Sequence, residues 1–172
     1  LPLALFLNAP LARASTTITV TSMSDVIASD GLCTLREAII AANTDAAFNG
    51  CPAGSGADTI ILPAGIYTLT ISGVGEDNGL TGDLDIKQNV TIQGNGATLI
   101  RDEGVELFRF FELMYNSALT LENMTLQNGD EQDDWGGAIY ASGANLTLNR
   151  VRFVNNQADN GGAIYLTFGA LT

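Results

Sequence analysis

One pentapeptide occurs twice in this chain. Gly-Gly-Ala-Ile-Tyr stands at 136–140 and again at 161–165. The segment before it, 119–129, aligns without a gap with 146–156, at nearly the same spacing along the chain. Self-similarity at such a period, confined to strand-like pieces, is typical of proteins built from stacked repeats.

Two shorter matches extend the repeat along the chain. Leu171-Thr172 begins a further copy after the one that starts at Leu146, and Val90-Thr91-Ile92 precedes the copy that starts at Leu119. Each copy contains short stretches in which apolar and polar residues alternate, as they do in β-strands. Because no segment between these stretches is long enough to return as a helix, we expect successive copies to stack directly.

Pairing of equivalent residues makes the strands parallel and about 4.8 Å apart, with one turn of the chain for each repeat. Connections between parallel strands are overwhelmingly right-handed. The sequence therefore predicts an all-β fold, a right-handed single-stranded parallel β-helix. The apolar residues of 119–126 are expected to face its interior beneath those of 146–153, whereas Thr120, Arg150 and Arg152 face outward.

Asparagine and glycine mark the expected bends of the coil. Asn128 and Asn155 stand where the chain must turn sharply, and asparagine tolerates the left-handed conformation. The glycine pairs that begin at Gly136 and Gly161 stand where the chain re-enters a strand, which can require a positive φ or close approach of two backbones. They are not expected to bind phosphate, since neither pair precedes a helix or carries a P-loop lysine.

Tyr140 and Tyr165 occupy equivalent positions of the two pentapeptides. They are opposite in phase to Ile139 and Ile164, so both tyrosines are expected to point outward, one above the other. Stacked exposed tyrosines can hold sugar rings or a partner protein. Alternatively, the two rings form a ladder that only stabilises the coil. Both interpretations remain open from the sequence.

The first residues resemble the end of a secretory signal. An apolar run at 1–7 precedes Ala12-Arg13-Ala14, which fits the small-x-small cleavage pattern and places a mature start near Ser15. Residues 1–14 are therefore predicted to be a signal-peptide remnant, with a buried N-terminal strand as the alternative. The run is too short to span a bilayer, so no transmembrane segment is expected in the mature part of this sequence.

One helix is expected, beginning after Thr34. The Thr34 hydroxyl can cap it while Glu37 reaches back, as in a capping box. An apolar stripe at helical spacing follows, with Asn43 as the expected end of the helix. The stripe consists of Leu35, Ala38, Ile39 and Ala42. This amphipathic helix is predicted to cap the N-terminal end of the β-helix, where strand edges would otherwise be open.

Cys33 and Cys51 are the only cysteines. In an oxidising compartment they are expected to form a disulfide, which would contribute about 3 kcal/mol through the loop it closes; two free buried thiols are the alternative. We predict that residues 15–57 form an N-terminal strand and disulfide-linked cap, and that 58–172 form the coils. The natural protein is expected to continue beyond Thr172, because the sequence stops just after a new copy of the repeat begins.

Composition excludes several classes of function. Hydrophobic residues make up 46% of the chain and charged residues 15%, which predicts a folded protein. The formal net charge of −12 argues against nucleic acid or anionic lipid as a partner. The chain contains no histidine, which excludes a Ser-His or Cys-His nucleophile and removes the commonest metal ligand.

The segment 33–39, Cys-Thr-Leu-Arg-Glu-Ala-Ile, resembles the CSLREA N-terminal motif of secreted β-helix proteins, with Thr34 in place of the usual serine. The segments 58–67 and 82–86 are similar to the same pattern. This resemblance implies a secreted or surface-attached bacterial β-helix, of a kind usually without assigned chemistry.

The repeats are similar to polymorphic outer-membrane protein repeats. Their GGAI element matches at Gly136 and at Gly161. Their F-x-x-N element matches at Phe153 to Asn156 but not in the first copy, where Leu126 and Gly129 stand instead. The resemblance implies a location at the cell surface and supplies no catalytic residue.

Acidic residues gather in three segments. Four of them lie within 130–134, where calcium binding and a solvated turn are the two interpretations. A second group lies within 76–85, and its Asp83 and Asp85 are expected to have structural roles such as capping turns. The third group, Asp102, Glu103 and Glu106, is the weakest candidate for a site.

The sequence favours a secreted or cell-surface β-helix module that acts as an adhesin-like or structural binding stalk, without catalysis or a resident cofactor unless calcium binds. Its expected partner is an extracellular glycan or a surface protein of a host or neighbouring cell. The alternative is a polysaccharide lyase or glycoside hydrolase of the β-helix type. Such an enzyme would use outward carboxylates and arginines, for example Asp83 and Arg152.

Overall fold

Every pairing between strands in the computed structural model, which describes residues 14–73 and 75–172, is parallel. The described part of the chain forms a β-solenoid of about three turns with one short helix. The predicted signal segment 1–14 lies outside the described residues except for Ala14. The predicted stacking of repeats is thus confirmed as a parallel solenoid.

The helix and strands follow one another in a simple order along the described residues. They are β1 (Thr17–Thr19), α1 (Leu35–Thr44), β2 (Asp58–Ile61), β3 (Ile66–Leu69), β4 (Leu84–Ile86), β5 (Asn89–Arg101), β6 (Phe111–Leu113), β7 (Ala118–Gln127), β8 (Asp130–Trp135), β9 (Ile139–Ser142), β10 (Asn145–Val154), β11 (Gln157–Asn160) and β12 (Ile164–Thr167). In the first sheet β1, β2, β5, β7 and β10 lie in that order, with β3 also paired to β5. A second sheet pairs β8 with β11, and a third runs β4, β6, β9, β12.

The register is the one that the repeat predicts. Leu119 pairs with Leu146 and Leu121 with Leu148, and the earlier copy joins through Val90 and Leu119. The side chains of Leu119, Leu121 and Leu146 are almost wholly buried. These residues therefore stack like on like in a dry aliphatic core, which provides the main favourable free energy of folding.

Asparagines with positive φ bend the coil, as predicted. Asn128 has φ 64° and Asn155 has φ 52°. A second bend, which was not predicted, lies within the long strands at Asn123 (φ 51°) and Arg150 (φ 56°). There Glu122 and Asn123 both face outward, so the inward alternation shifts by one residue and the strand turns onto another face of the solenoid.

The first glycine pair has both the positive φ and the close backbone approach that were expected, and the second pair has the positive φ. Gly136 has φ +70° and Gly161 has φ +65°, a region that L side chains rarely adopt. A Cβ on Gly137 would overlap the carbonyl oxygens of Gln157 and Gly162 in the neighbouring coil. The pentapeptide therefore recurs because each coil turns at the same corner, where both copies place a glycine with positive φ.

Helix α1 begins with the predicted capping box. The Thr34 hydroxyl accepts from the N–H of Glu37, and the Glu37 carboxylate accepts from the N–H of Thr34. The predicted end at Asn43 is wrong, because the helix continues to Thr44 and stops at Asp45 in the left-handed conformation. Asn43 stays helical because its side chain donates to the carbonyl of Asp85 (2.7 Å) and accepts from the N–H of Lys87 (2.9 Å).

The side chain of Arg36 is wholly buried beneath α1. Its guanidinium forms a two-point ion pair with Asp25, at 2.7 and 3.2 Å, and donates to the carbonyls of Gly79 and Gly82, each at 3.0 Å. Asp25 in turn accepts from the N–H groups of 70 and 71. A buried charge is tolerated only when it is paired and hydrogen-bonded, and this one connects three separate segments.

Cys33 and Cys51 form the predicted disulfide, which closes a loop of sequence separation 18. Helix α1, which this loop contains, packs against β1, β2 and β4. Within the described residues, no helix combines the length and apolar character needed to cross a bilayer.

Candidate functional site

Four outward side chains form one row across the third sheet. Asp85 on β4 is the register partner of Glu112 on β6, Glu112 of Tyr140 on β9, and Tyr140 of Tyr165 on β12. The residues on either side of each one face the core. Parallel in-register pairing therefore brings two carboxylates and two phenol rings onto a single outer face.

Three aromatic rings stack at one end of this row. The ring centroids of Tyr140 and Tyr165 are 6.0 Å apart with planes 18° apart, as the repeat predicts. Trp135 stacks on both, at 5.8 Å from Tyr140 and 5.4 Å from Tyr165. Its side chain is 41% exposed. Trp135 was not predicted, because the second copy has Asn160 at the paired position and the repeat does not mark it.

Arg109 joins the aromatic stack to a set of carboxylates. Its guanidinium carbon lies 5.1 Å from the centroid of Tyr140, within the range of a cation–π contact. Its nitrogens lie 3.3 Å from Asp83, 3.7 Å from Glu131 and 3.1 Å from Asp134. This residue was not predicted, although a lone arginine in the apolar stretch 107–111 was a usable signal.

Arg150 and Arg152, the arginines that the sequence singled out, lie elsewhere. Both are exposed on β10 in the first sheet and do not line the pocket around Asp83. Arg150 instead borders a polar depression with Glu122 and Asn123. The arginine that accompanies Asp83 is therefore Arg109.

The acidic segment 130–134 was expected in a turn, and this expectation is wrong. It lies in strand β8, which pairs with β11 in the next coil. Asp130 is buried, lies 3.8 Å from Arg101 and accepts from the side chain of Gln157 at 2.7 Å. Nothing in the repeat indicated this strand, because its copies, Asp-Glu-Gln-Asp-Asp-Trp and Gln-Ala-Asp-Asn, differ in length and composition.

An open pocket of about 240 Å³ lies between the carboxylates and the loop before β4. It is lined by Gly73, Gly75, Glu76, Asp77, Asp83, Phe108, Arg109, Glu112, Glu131 and Asp134. Glu76 orders part of the loop by accepting from the N–H groups of Asn78 and Thr81, both at 2.9 Å. The sequence assigned turn capping to Asp83 and Asp85 and not to Glu76, so this role of Glu76 was not predicted.

The loop covers Asp85 completely, leaving it 0% exposed. One carboxylate oxygen, Oδ2, accepts from the N–H of Gly79 at 2.6 Å. No donor in the described part of the chain reaches the other oxygen, Oδ1. Carboxylate oxygens of Asp83, Asp85 and Glu112 lie within 4.8 Å of one another.

Burial in this cluster raises the pKa values of its acids. Loss of solvation raises the pKa of Asp83 to about 7, although the charge of Arg109 opposes the rise. Loss of solvation also raises the pKa of Asp85 to about 8, and the negative charge of Asp83 adds to the effect. The pKa values of Glu112 and Glu131 are raised by burial too. The carboxyl groups of this cluster therefore bind protons more tightly than solvated ones, because burial disfavours their charged form.

The family model described as the Chlamydia polymorphic membrane protein (Chlamydia_PMP) repeat matches residues 150–167. No curated protein and no solved structure matches the chain. Within the matched segment, Asn156 accepts from the N–H of Gly129 (2.8 Å) and donates to the carbonyl of Leu126 (3.0 Å) in the preceding coil. The asparagine of the F-x-x-N element thus holds one coil to the next. The match includes Tyr165 but none of the residues that line the pocket.

Proposed function

We propose that this chain is a bacterial surface or outer-membrane-associated repeat module, adhesin-like, that binds a glycan through the stacked rings of Trp135, Tyr140 and Tyr165. The aromatic stack is the observation that carries the proposal. The similarity of 150–167 to a repeat of a membrane protein supports the location. The disulfide between Cys33 and Cys51 agrees with export to an oxidising compartment.

The exposed Trp135 favours binding over a purely structural ladder. A ladder needs only Tyr140 and Tyr165, whose equivalent positions pair directly. Trp135 adds a third ring that leaves 41% of its surface in water. Exposed aromatic rings that are held rigidly by their neighbours lose little entropy on contact with a ligand, and the C–H faces of sugar rings pack well on them.

The charged residues beside the aromatic stack indicate which class of glycan the site would bind. Arg109 is buried and surrounded by Asp83, Glu131 and Asp134, so its charge is neutralised within the protein. The remaining field is negative, in keeping with the net charge of −12. Anionic sugars are therefore repelled, and a neutral or amine-bearing glycan is the expected ligand.

Two further features of the fold belong to this proposal. We infer that the solenoid is right-handed, as crossovers between parallel strands almost always are. We also infer that α1 covers the N-terminal end, because it packs against β1 and β2, the first two strands of the first sheet, and against β4, the first strand of the third sheet. The resemblance of 33–39 to the CSLREA motif supports this role, since the arginine and glutamate of the motif make buried anchoring contacts.

A glycan array probed with the purified chain tests the proposal. Binding to a neutral or amine-bearing glycan is expected, with at least a tenfold loss in W135A, Y140A and Y165A. Tyr115→Ala is the matched control, because Tyr115 is 76% exposed and lies outside the stack. Absence of binding, or an equal loss in the control variant, contradicts the proposal.

Polysaccharide cleavage is a second candidate, favoured by one observation. Arg109 and the carboxylates of Asp83 and Glu131 meet in an open pocket, the groups that a lyase or hydrolase of this kind would use. Incubation with a panel of polysaccharides and measurement of reducing ends tests it. Cleavage that is lost in R109Q with its circular dichroism spectrum unchanged, and kept in R152Q, supports the candidate, and absence of cleavage across the panel rejects it.

A further inference from the structure

We propose that Asp83, Asp85 and Glu112 form a binding site for a single divalent cation, with Ca²⁺ as the ion that fits. The three carboxylates come from the N-terminal side of β4, from β4 itself and from β6. None of the three ligands comes from the acidic segment 130–134, although Glu131 and Asp134 of that segment line the same pocket. It does not depend on glycan binding at the aromatic stack.

Distance supports a shared ion. One carboxylate oxygen from each residue lies within 4.8 Å of the others. Calcium binds oxygen at about 2.3–2.6 Å, so oxygens on opposite sides of the ion are separated by at most about 5 Å. One Ca²⁺ placed among the three oxygens can therefore contact all of them without a large movement of the backbone.

The second observation is the unpartnered oxygen of Asp85. Asp85 is 0% exposed, and its Oδ1 receives no hydrogen bond in the described part of the chain. The opposite oxygen is fixed by the N–H of Gly79, so the carboxylate cannot easily rotate towards solvent. Buried carboxylates are normally paired or coordinated to a metal. A bound cation would satisfy Oδ1 and remove this cost.

Rigid strands hold two of the three ligands. Asp85 and Glu112 are register partners on adjacent strands of the third sheet. Asp83 lies immediately before β4, and its carboxylate is 3.3 Å from Arg109. Its backbone carbonyl also faces Arg36, at 3.4 Å. Such preorganisation reduces the conformational entropy that is lost when the ion binds.

The chemistry of the donor set selects a hard cation. The chain has no histidine and its two cysteines are bonded to each other, so only oxygen ligands are offered. Oxygen ligands suit Ca²⁺ and Mg²⁺ rather than zinc or copper. Arg109, 3.3 Å from Asp83, competes for that carboxylate. Glu131, at 3.7 Å from Arg109, draws part of its charge away.

Calorimetric titration of the metal-free chain with CaCl₂ at constant ionic strength tests the site. One Ca²⁺ per chain is expected, with Kd between about 10⁻⁶ and 10⁻³ M. Asp85→Asn and Glu112→Gln should each weaken binding at least tenfold. Glu122→Gln is the matched control, since Glu122 is also an outward strand residue but lies in the first sheet, and it should leave the Kd unchanged.

Circular dichroism of each variant distinguishes the loss of a metal-binding side chain from unfolding of the chain. If Asp85→Asn does not fold, Glu112→Gln decides the question, because Glu112 is only partly buried. No binding at about 10⁻² M Ca²⁺ overturns the proposal. An equal loss of affinity in Glu122→Gln also overturns it, because the ion would then sense only the general negative charge. Tighter binding of Mg²⁺ than of Ca²⁺ overturns the assignment to calcium.

Discussion

Glu112 and Tyr140 are direct register partners on neighbouring strands of the third sheet. A carboxylate cluster and an aromatic stack thus meet at adjacent coils, with Arg109 in contact with both. The two features form one continuous surface. Substitutions in the acidic pocket are therefore expected to affect the stability of the fold and also the aromatic stack.

Replacement of Arg109 by glutamine should destabilise the fold. The change leaves Asp83, Glu131 and Asp134 without their common counter-charge and removes the cation beneath Tyr140. Loss of one member of a buried charged group costs about 3–5 kcal/mol. The free energy of unfolding in urea measures the effect. Arg152→Gln, at an exposed position, should change it by less than about 0.5 kcal/mol, and similar values for the two variants would contradict the role assigned to Arg109.

Stability should fall as the pH rises from 5 to 8 in buffer that contains a chelator. The pKa of Asp83 is raised to about 7 and that of Asp85 to about 8, so in this window the folded state binds more protons than the unfolded state. The unfolding free energy therefore decreases with pH. The charged groups that face the pair are Arg109, Glu112, Glu131 and Glu76.

Thermal melting across this pH range checks the sign. Asp85→Asn should flatten the curve, because it removes a proton-binding group whose pKa is raised in the folded state. A melting temperature that rises between pH 5 and pH 8 in the wild-type chain would be incompatible with the raised pKa values.

Reduction of the disulfide should weaken the N-terminal region. The bridge closes a loop of sequence separation 18, for which chain entropy predicts about 3 kcal/mol. The double variant C33S/C51S should therefore unfold at a lower urea concentration than the oxidised chain. Dithiothreitol should shift the midpoint of the wild-type chain in the same direction and leave the double variant unaffected; a midpoint that ignores both changes would show that the bridge contributes little.

Gly137 and Gly162 offer a matched pair of substitutions at equivalent positions. A Cβ on Gly137 would overlap two carbonyl oxygens of the next coil, whereas a Cβ on Gly162 would lie 3.6 Å from its nearest neighbour. Gly137→Ala should cost about 1–3 kcal/mol through overpacking. Gly162→Ala should change stability by about 0.5 kcal/mol or less. Equal costs would argue against the close approach of the coils at Gly137.

The repeat made the middle of the fold predictable. Equivalent residues such as Leu119 and Leu146 pair in the structure because a solenoid places like side chains above like. The capping box formed by Thr34 and Glu37 could be predicted because it depends only on local spacing. Such features need no knowledge of which distant segments meet.

The acidic pocket could not be predicted from the sequence, because it depends on which distant segments meet. Asp83, Arg109 and Asp134 come from three coils of unequal composition, and no repeated motif marks them. Their meeting depends on the register of whole strands and on the shape of the loop before β4. Strand β8 was missed because its sequence is acidic, which favours a turn when the pairing with β11 is unknown.

Both backbone polar groups of Gly79, the carbonyl and the N–H, are hydrogen-bonded to side chains. Its carbonyl accepts from Arg36 beneath the helix, and its N–H donates to Asp85 in the acidic cluster. Any substitution that displaces Arg36 would therefore be transmitted to Asp85 through one small residue. A change in the helix that moves Arg36 would therefore require a compensating change on the outer face of the third sheet.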